Sequence, residues 1–263
     1  MPRTATRTGT FSDWGEIAEF YDLLDIDRAP MIAFYRSLIS EATHSLIELA
    51  CGTGTIVTAL ATPLFESGRK VRVVGVDLSA GMLNLARARE PRIEWVLGDM
   101  RSPPVEGQLD LAICCFNSFQ SLLTEDELSR ALHSARRLLK PEGVFAFDMY
   151  QPNFSFLETE PADRLARSIV DQHGFCVQVY ENYYYDPNTR VLTIDWRIMT
   201  NSGRVEPTPR HFRYYYRQYT ASEIEQLLPK CGFVIQERYG NFDWSPLSAH
   251  SKKQILVCAP TAG

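Results

Sequence analysis

The chain has 263 residues, enough for one α/β domain with an insertion, and a formal net charge of −5. This acidic balance, without any run of lysines or arginines, argues against a nucleic-acid substrate. No apolar run approaches the roughly 20 residues that a membrane-spanning helix needs. The six cysteines form no C-x-x-C motif and most lie in apolar runs, so we expect buried, reduced thiols in a cytoplasmic protein.

The N-terminal part predicts a tail followed by two helices. Residues 1–12 are polar and lack the apolar stretch of a signal peptide, so we expect a disordered tail. Within residues 13–45, apolar residues recur at helical spacing in Asp13–Leu24 and again in Asp27–Ile39. Tyr21 lies on the apolar face of the first predicted helix.

The most informative stretch runs from Leu46 to Ala61 and reads L-I-E-L-A-C-G-T-G-T-I-V-T-A-L-A. Its first five residues predict a buried parallel strand, interrupted only by Glu48. Gly52 and Gly54 predict a tight turn, because glycine tolerates positive φ and lets a ligand approach the backbone closely. The following helix would bring its unpaired N–H groups to the same place. We therefore expect a polar or anionic ligand at the carboxyl end of this strand.

Four more buried strands are predicted, each followed by polar or small residues. They are Val71–Val76 before Asp77, Ile93–Leu97 before Gly98-Asp99-Met100, Leu109–Cys115 before Phe116-Asn117, and Val144–Asp148 before Met149-Tyr150. Helices are predicted between them over 80–89 and, from a capping box at Thr124, up to Leu139. Since parallel strands share one carboxyl edge, we expect the residues after these strands to converge near Gly52.

An insertion interrupts this pattern over residues 151–219. Strands are predicted over Phe175–Tyr185, Val191–Thr200 and His211–Gln218, separated by turn signals. We interpret them as an antiparallel β-meander, dense in aromatic residues that include Trp196. Residues 220–263 then predict a capped helix and two last strands that complete the core sheet, joined by a loop that contains Trp244 and His250.

Five of these stretches, in this order, resemble the motifs of the class I S-adenosylmethionine (SAM) methyltransferases. They are E-L-A-C-G-T-G, V-V-G-V-D-L-S, G-D-M, L-D-L-A-I-C-C-F-N and L-L-K-P-E-G-V-F-A-F-D. A dinucleotide fingerprint would instead need a small residue at Val57. The resemblance implies a doubly wound, Rossmann-like α/β fold with a seven-stranded, mainly parallel sheet whose last strand is antiparallel. The SAM-binding core would span residues 46–150, with residues 13–45 as a lid.

The resemblance also implies which residues bind SAM, whose product is S-adenosylhomocysteine. Glu48, Gly52 and Gly54 would hold the methionine end, Asp77 the ribose and Asp99 the adenine amino group. The other positions expected to bind the cofactor are Tyr21, Ala50, Leu78, Met82, Gly98, Met100 and Cys115. Ordinary alternatives exist for three positions, since Tyr21 can simply dock its helix, Met82 can be core, and Asp99 can cap a helix.

The acceptor would be held at the same edge of the sheet. Asn117, Tyr150 and Tyr21 are predicted to position it, and Trp196 and Trp244 to form part of the pocket wall. Insertions after the fifth strand commonly form the acceptor lid in similar enzymes, so the meander is expected to roof the pocket. No cluster with metal-ligand spacing is visible in the sequence, and a metal is not expected.

The function predicted from the sequence is methyl transfer to nitrogen of a small heterocycle or amino sugar of secondary metabolism, by a monomer or homodimer. The A-x-x-Y-D-x-L opening and E-L-A-C-G-T-G resemble amino-sugar and azapteridine N-methyltransferases. Methylation of a hydroxyl needs a base, for which His173, His211 and His250 are the candidates, so O-methylation is the first alternative.

Two further alternatives stay open. An enzyme that methylates RNA or protein is disfavoured by the acidic charge and by F-N-S-F at the position where many such enzymes carry N/D-P-P-Y/F. A SAM-binding protein without enzymatic activity is disfavoured because the predicted cofactor motifs are intact. Neither nucleic acid nor a membrane is expected as a partner.

Overall fold

A computed structural model describes residues 14–22, 27–157, 163–170, 176–201 and 209–261. The predicted tail and His173 lie outside these residues, as do Asp13, Leu24 and Phe175 at the ends of predicted elements. Among the described residues, no helix is both long and apolar enough to cross a membrane.

Strands and helices alternate through the first half of the chain. The strands are β1 (Ser45–Leu49), β2 (Arg72–Asp77), β3 (Glu94–Leu97), β4 (Leu109–Cys114), β5 (Leu139–Tyr150), β6 (Arg164–Val170), β7 (Cys176–Asp186), β8 (Val191–Asn201), β9 (Arg210–Arg217), β10 (Phe233–Tyr239) and β11 (Lys253–Pro260). The α-helices are α1 (Ala18–Tyr21), α2 (Ala29–Ser37), α3 (Thr55–Glu66), α4 (Ala80–Arg89), α5 (Glu125–Leu138), α6 (Phe154–Leu157) and α7 (Ala221–Lys230).

The central sheet has seven strands in the order β10-β11-β5-β4-β1-β2-β3. Strands β1 to β5 pair in parallel, whereas β11 pairs antiparallel with both β5 and β10. The predicted sheet, including its antiparallel last strand, is confirmed. The carboxyl ends of β1 to β5 therefore lie at one edge, and the reversal of β11 brings its first residue, Lys253, to the same edge.

Apolar clusters cover both faces of this sheet, which makes the fold doubly wound. On one face, residues of α5 and α7 such as Leu132 and Ile224 belong to the same apolar cluster as Ile47. On the other, residues of α2 and α3 such as Val57 pack on Leu46. Successive residues of β1 thus enter opposite cores, because side chains alternate along a strand. This explains why the strand is a continuous apolar run.

A second sheet of four antiparallel strands, in the order β6-β7-β8-β9, forms the predicted meander. The edge strand β6 was not predicted as a separate element. Six of its seven residues are exposed, so its sequence carries no alternation of apolar and polar residues. The inner face of this second sheet packs against the N-terminal segment. Ile17 and Phe20 of that segment form a third apolar cluster with Val177, Ile198 and Phe212.

Two boundaries differ from the sequence prediction. The first predicted helix is a 3₁₀ turn over Trp14–Ile17 followed by the single turn of α1. Residues 140–143 were predicted to follow a helix as a turn, yet they belong to β5, where the register against β4 shifts between Leu109 and Leu111. The irregularity arises because Leu139 and Val144 both pair with β4 while the residues between them bulge.

Trp95 on β3 fills the space between the sheet and the start of α3. Its indole nitrogen donates a hydrogen bond to the Glu90 carbonyl at 2.9 Å. A Cβ added at Gly54 would lie 2.3 Å from the ring, and one added at Gly75 would lie 2.4 Å from it. Gly54 also has a φ of 72°. Glycine at this position therefore serves helix packing as well as turn geometry.

Alanine at Gly54 is expected to destabilise the fold more than alanine at Gly68. Both positions have positive φ, but nothing lies within 4 Å of a Cβ at Gly68. G68A therefore measures backbone strain alone, whereas G54A adds the overlap with Trp95, which should cost about 1–3 kcal/mol more. The free energies of unfolding in urea, without ligands, measure this difference. Equal losses in the two variants would show that the Trp95 contact is unimportant.

Candidate functional site

An open cavity lies at the carboxyl edge of the sheet, beside the turn that follows β1. Its walls come from α1, this turn, the start of α3 and the loop after β4. Five residues predicted to bind the cofactor line it, namely Tyr21, Glu48, Ala50, Gly52 and Cys115. Arg28, Thr53, Thr55 and Phe116 also line it, and none of these four was predicted to do so.

The backbone around this cavity adopts left-handed conformations at residues other than glycine. Ala50, Phe116 and Asn117 have φ values of 56°, 63° and 64°. Each such conformation costs about 1–3 kcal/mol and persists only where the surrounding structure imposes it. Gly52, with φ 55°, has open space towards the cavity, since its nearest neighbour would be Tyr21 at 4.0 Å. Strain concentrated at two strand ends marks this edge as a functional site.

Glu48 is a buried carboxyl group at the base of the cavity. Its Oε2 accepts a hydrogen bond from the Val57 amide at 2.9 Å. Burial raises the pKa of Glu48 from the ordinary 4.5 to about 8. The Glu48 carboxyl is therefore neutral near pH 7 in the ligand-free protein, and a cationic group placed beside it would favour the carboxylate. This is the property expected of a group that receives the methionine end of SAM.

Asp77 and Asp99 end neighbouring strands and are both fixed by hydrogen bonds. Asp77 accepts from the Gly52 amide at 2.7 Å and from the Ser79 amide at 2.8 Å. Both carboxylate oxygens of Asp99 accept hydrogen bonds from the Arg101 guanidinium, which lowers the pKa of the Asp99 carboxyl. No helix begins after Asp99, so the alternative role as a helix cap does not apply.

Apolar residues beside these carboxylates differ in their exposure. Met82 is buried in α4, as the alternative reading of a core residue requires. By contrast, Leu78 and Leu97 are exposed although they are large and apolar. Leu78 follows β2 and Leu97 is the last residue of β3, and a flat ring between them would cover apolar surface. Leu97 was not predicted, because it counted as the last residue of a buried strand.

The lid is attached to the rim of the cavity through Asp22. The Asp22 carboxylate accepts from the Thr53 hydroxyl at 2.8 Å and from Arg89 at 2.5 Å, while Arg28 lies at 3.5 Å. Burial opposes ionisation, but these hydrogen bonds and cations lower the pKa of the Asp22 carboxyl. Asp22 therefore stays charged, and the adjacent Tyr21 is placed over the cavity, with its ring 6.4 Å from that of Phe116.

A second polar network lies where β4, β5 and β11 meet. The carboxylate of Asp148, 0% exposed, accepts from the Tyr35 hydroxyl at 2.9 Å and the Phe116 amide at 2.8 Å. Its other oxygen accepts from Lys253 at 2.8 Å, and Lys253 also donates to Asn117 Oδ1 at 2.8 Å. The Asn117 carbonyl oxygen, expected to hold the acceptor, is thus already bonded to Lys253.

The inner face of the meander presents tyrosines to this edge. Burial raises the pKa values of Tyr21, Tyr214 and Tyr216, so their hydroxyls stay protonated. Tyr216 is close enough to Tyr21 and Tyr150 to interact with them electrostatically. Among the described residues, the hydroxyls of Tyr21, Tyr214 and Tyr216 have no hydrogen-bond partner. The buried side-chain atoms without a partner in the described residues belong to Thr58, Gln151 and Gln254, so these tyrosine hydroxyls are not sealed inside the core and can still bind another molecule.

The remaining predicted pocket residues lie at different depths. Trp196 is on the inner face of the meander, 5.1 Å from the ring of Tyr214, and donates to Glu181 at 3.1 Å. The Tyr150 ring is half exposed and lies 4.5 Å from the Lys253 ammonium. Trp244 is half exposed beside Phe34 of α2, at 6.0 Å, away from the tyrosines.

The described part of the chain places no histidine in the wall of the cavity. His44, His133, His211 and His250 are all exposed, and His173 lies outside the described part of the chain. In the same residues, no group of three or more His, Cys, Asp or Glu could hold a metal ion.

Comparisons with known proteins agree with the cofactor motifs. Residues 46–143 match a family model described as a methyltransferase domain. The chain is 31% identical over 202 residues to dTDP-3-amino-3,4,6-trideoxy-alpha-D-glucopyranose N,N-dimethyltransferase of Streptomyces venezuelae, covering 74% of this chain and 79% of that one. It is 27% identical over 268 residues to trans-aconitate 2-methyltransferase of Shigella dysenteriae, covering 95% and 96%.

A solved structure extends the likeness to the whole fold. The CcbJ methyltransferase of Streptomyces caelestis superposes with a TM-score of 0.78 at 24% identity, covering 95% of this chain and 99% of that chain. The agreement in fold therefore includes the region of the meander as well as the central sheet.

Glu48 is expected to make the stability of the ligand-free protein depend on pH. Its neutral form is favoured in the folded state, so the stabilisation is complete below about pH 4.5 and is lost as the pH rises through about 8. Glu48→Gln stays neutral and lacks this loss. Between about pH 5 and pH 9, the free energy of unfolding of the wild type should fall relative to E48Q by at least about 1 kcal/mol. Parallel curves from urea titrations would contradict the assignment.

Proposed function

The chain belongs to the SAM-dependent methyltransferases, and on this basis we propose that it methylates the amino nitrogen of a small acceptor of the amino-sugar type. The observation that carries the proposal is the group of unpartnered tyrosine hydroxyls beside Phe116 and Tyr150. Protonated phenols donate and accept hydrogen bonds without bringing a charge. Their rings offer apolar faces to the C–H surface of a ring-shaped acceptor.

The cavity residues fit SAM by their chemistry. Glu48 would meet the ammonium of the methionine end and Arg28, supported by Thr55, its carboxylate. Asp77 would accept from the ribose hydroxyls, and Asp99 from the adenine amino group between Leu78 and Leu97. When bound, SAM supplies a methyl group on a cationic sulfonium, which is itself a strong electrophile.

The chain then contributes orientation and the exclusion of water. A neutral amine already carries the lone pair that attacks the methyl carbon, so no group needs to remove a proton first. Holding the nitrogen in line about 3–3.5 Å from the carbon can supply about 7–11 kcal/mol of the barrier. Tyr21 and Phe116 lie between the cofactor cavity and the tyrosines, and they would separate this position from solvent.

Two further observations support nitrogen as the acceptor atom. The histidines that could have served as a base for a hydroxyl, His211 and His250, are exposed. The relative from Streptomyces venezuelae is by name an N,N-dimethyltransferase of an amino sugar, and at 31% identity it supports the class of acceptor rather than the compound.

A carboxylate acceptor is the second candidate. Lys253 places an ammonium group next to Tyr150, and a carboxylate needs no base before it attacks a methyl group. The relative that covers 95% of this chain is a trans-aconitate 2-methyltransferase. The two candidates differ in acceptor charge, so one assay separates them.

Purified enzyme with SAM should methylate dTDP-3-amino-3,4,6-trideoxy-α-D-glucopyranose but not trans-aconitate. The expected product, identified by mass spectrometry, carries the new methyl on nitrogen and forms together with S-adenosylhomocysteine. RNA and total protein serve as negative controls in the same assay. A methyl ester of trans-aconitate as the product would favour the second candidate and contradict the first.

Asp77→Asn should weaken SAM binding about 10- to 100-fold, because it replaces a charged acceptor worth about 1.5–3 kcal/mol. Asp110→Asn is the matched control. Asp110 lies on β4 at the opposite edge of the sheet, where it binds Lys140 at 2.6 Å and Ser45 at 2.8 Å. D110N should bind SAM like the wild type in calorimetry. Unchanged affinity in D77N would remove Asp77 from the cofactor site.

A further inference from the structure

The ion pair between Lys253 and Asp148 is asymmetric in its exposure. The Asp148 side chain is 0% exposed and the Lys253 side chain 13% exposed, although their charged atoms are 2.8 Å apart. The carboxylate is enclosed by Tyr35 and the Phe116 amide, whereas the ammonium lies 4.5 Å from the half-exposed ring of Tyr150. The pair therefore directs its positive end towards the acceptor side.

Lys253 has donor capacity left on that side. Two of its three N–H bonds are directed to Asn117 and Asp148, and no further acceptor occurs within the described residues. The Phe242 ring, 5.6 Å away, covers the ammonium from the loop before β11. The Lys253 ammonium therefore has one N–H bond left for an acceptor molecule. Its charge attracts an anionic acceptor and repels a cationic one.

Several titratable groups around the pair are neutral near pH 7 in the ligand-free protein. They are Glu48 on β1, Tyr35 on α2, Cys114 and Cys115 at the end of β4, and Tyr21 and Tyr216 above, in each of which burial raises the pKa. The nearest other cation that lines the cavity, Arg28, faces Asp22 at 3.5 Å. In the described part of the chain, no neighbouring charge therefore cancels the positive end of the Lys253–Asp148 pair, which is the Lys253 ammonium.

We propose that Lys253 is a specificity-determining residue that selects the unprotonated form of the acceptor amine. This inference rests on the proposed function. An alkylammonium brought to Tyr150 would meet the Lys253 charge at short range, where repulsion is only partly screened. The free amine meets no repulsion, and a hydroxyl next to it can accept the third Lys253 N–H. Lys253 thereby achieves by electrostatics what a histidine base would achieve by proton transfer.

The balance of the reaction is then complete without a base on the protein. The nitrogen lone pair forms the new C–N bond, and the C–S bond breaks with its electron pair going to sulfur. The nitrogen, now an ammonium, loses one proton to water. The positive pole of Lys253 favours this loss for the same reason that it excluded the protonated substrate.

The first arm of the test needs no acceptor. SAM is cationic at sulfur and S-adenosylhomocysteine is not, so a positive pole beside Phe116 should weaken SAM relative to its product. Calorimetry with both ligands should show the relative affinity for SAM rising about threefold or more in Lys253→Met and Lys253→Gln. Lys253→Arg and the exposed neighbour Lys252→Met should keep the wild-type ratio. K253Q retains a hydrogen-bond donor for Asp148, so it guards against a failure of K253M to fold.

The second arm is the pH profile of kcat for dTDP-3-amino-3,4,6-trideoxy-α-D-glucopyranose at saturating concentrations, because this profile reports ionisations in the bound complex. In K253M and K253Q the acidic limb should move up by about one pH unit, because the bound amine is no longer driven to its free form. In K253R and K252M it should stay in place. A residue with a merely structural role would lower kcat at every pH without moving the limb.

The outcomes separate the two proposals. Methylation of the amine by the wild type, with an unmoved limb and an unchanged ligand ratio in folded K253Q, overturns the role of Lys253 alone. A wild type that methylates no amine overturns the proposed acceptor, and with it the selection of a free amine. In that case a changed ratio of the affinities for SAM and S-adenosylhomocysteine in the Lys253 variants would still show that the Lys253 charge acts at the cofactor. It would then point to an anionic acceptor.

Discussion

The rest of the site depends on the hydrogen bonds and the ion pair that the buried carboxylate of Asp148 makes. A charge removed from water costs several kcal/mol unless it is paired and hydrogen-bonded. Asp148 obtains its partners from α2 through Tyr35, from the loop after β4 through Phe116, and from β11 through Lys253. Three segments far apart in sequence are thereby held at one edge of the sheet. The same bonds fix the strained backbone at Phe116, which separates the cofactor cavity from the tyrosines.

The lid is tied to the same edge by a second carboxylate. Asp22 binds Thr53 and Arg89 on the rim of the cavity, and α1 packs its other side against the meander. Tyr21 therefore lies where three parts of the chain meet. Cofactor turn, lid and meander thus meet at the place where methyl transfer would occur. We propose that an acceptor held between them contacts tyrosine hydroxyls and Lys253 rather than a histidine.

The sequence predicted the parts of the fold whose signals are local. Continuous apolar runs gave β1, β2 and β4, glycines gave the turn after β1, and capping boxes gave the starts of α5 and α7. The exposed edge strand β6 has no such pattern, and the short helix α6 is too brief to show one. The bulge at residues 140–143 depends on pairing with β4, which no local pattern reports.

The residues of the site also divide into those that have a local sequence signal and those that have none. Motif residues such as Glu48, Gly52 and Asp77 could be proposed from the sequence because they lie in or next to the strand ends that carry them. Lys253 and Arg28 were not found, because their roles arise from contacts with residues far along the chain. Lys253 is 105 positions from Asp148 and 136 from Asn117. The one available signal was the reversal of the last strand, which places its first residue at the carboxyl edge of the sheet.

The central claim is the proposal that hydroxyls on the inner face of the meander hold an acceptor of the amino-sugar type. The most direct measurement is the affinity of dTDP-3-amino-3,4,6-trideoxy-α-D-glucopyranose for the complex with S-adenosylhomocysteine, compared between Tyr216→Phe and Tyr184→Phe. Tyr216 faces Tyr21 and Tyr150, whereas Tyr184 is exposed on the outer face. The account predicts about fivefold or greater weakening in Y216F, the loss of one hydrogen bond, and wild-type affinity in Y184F. Equal affinities in both variants and the wild type would contradict it.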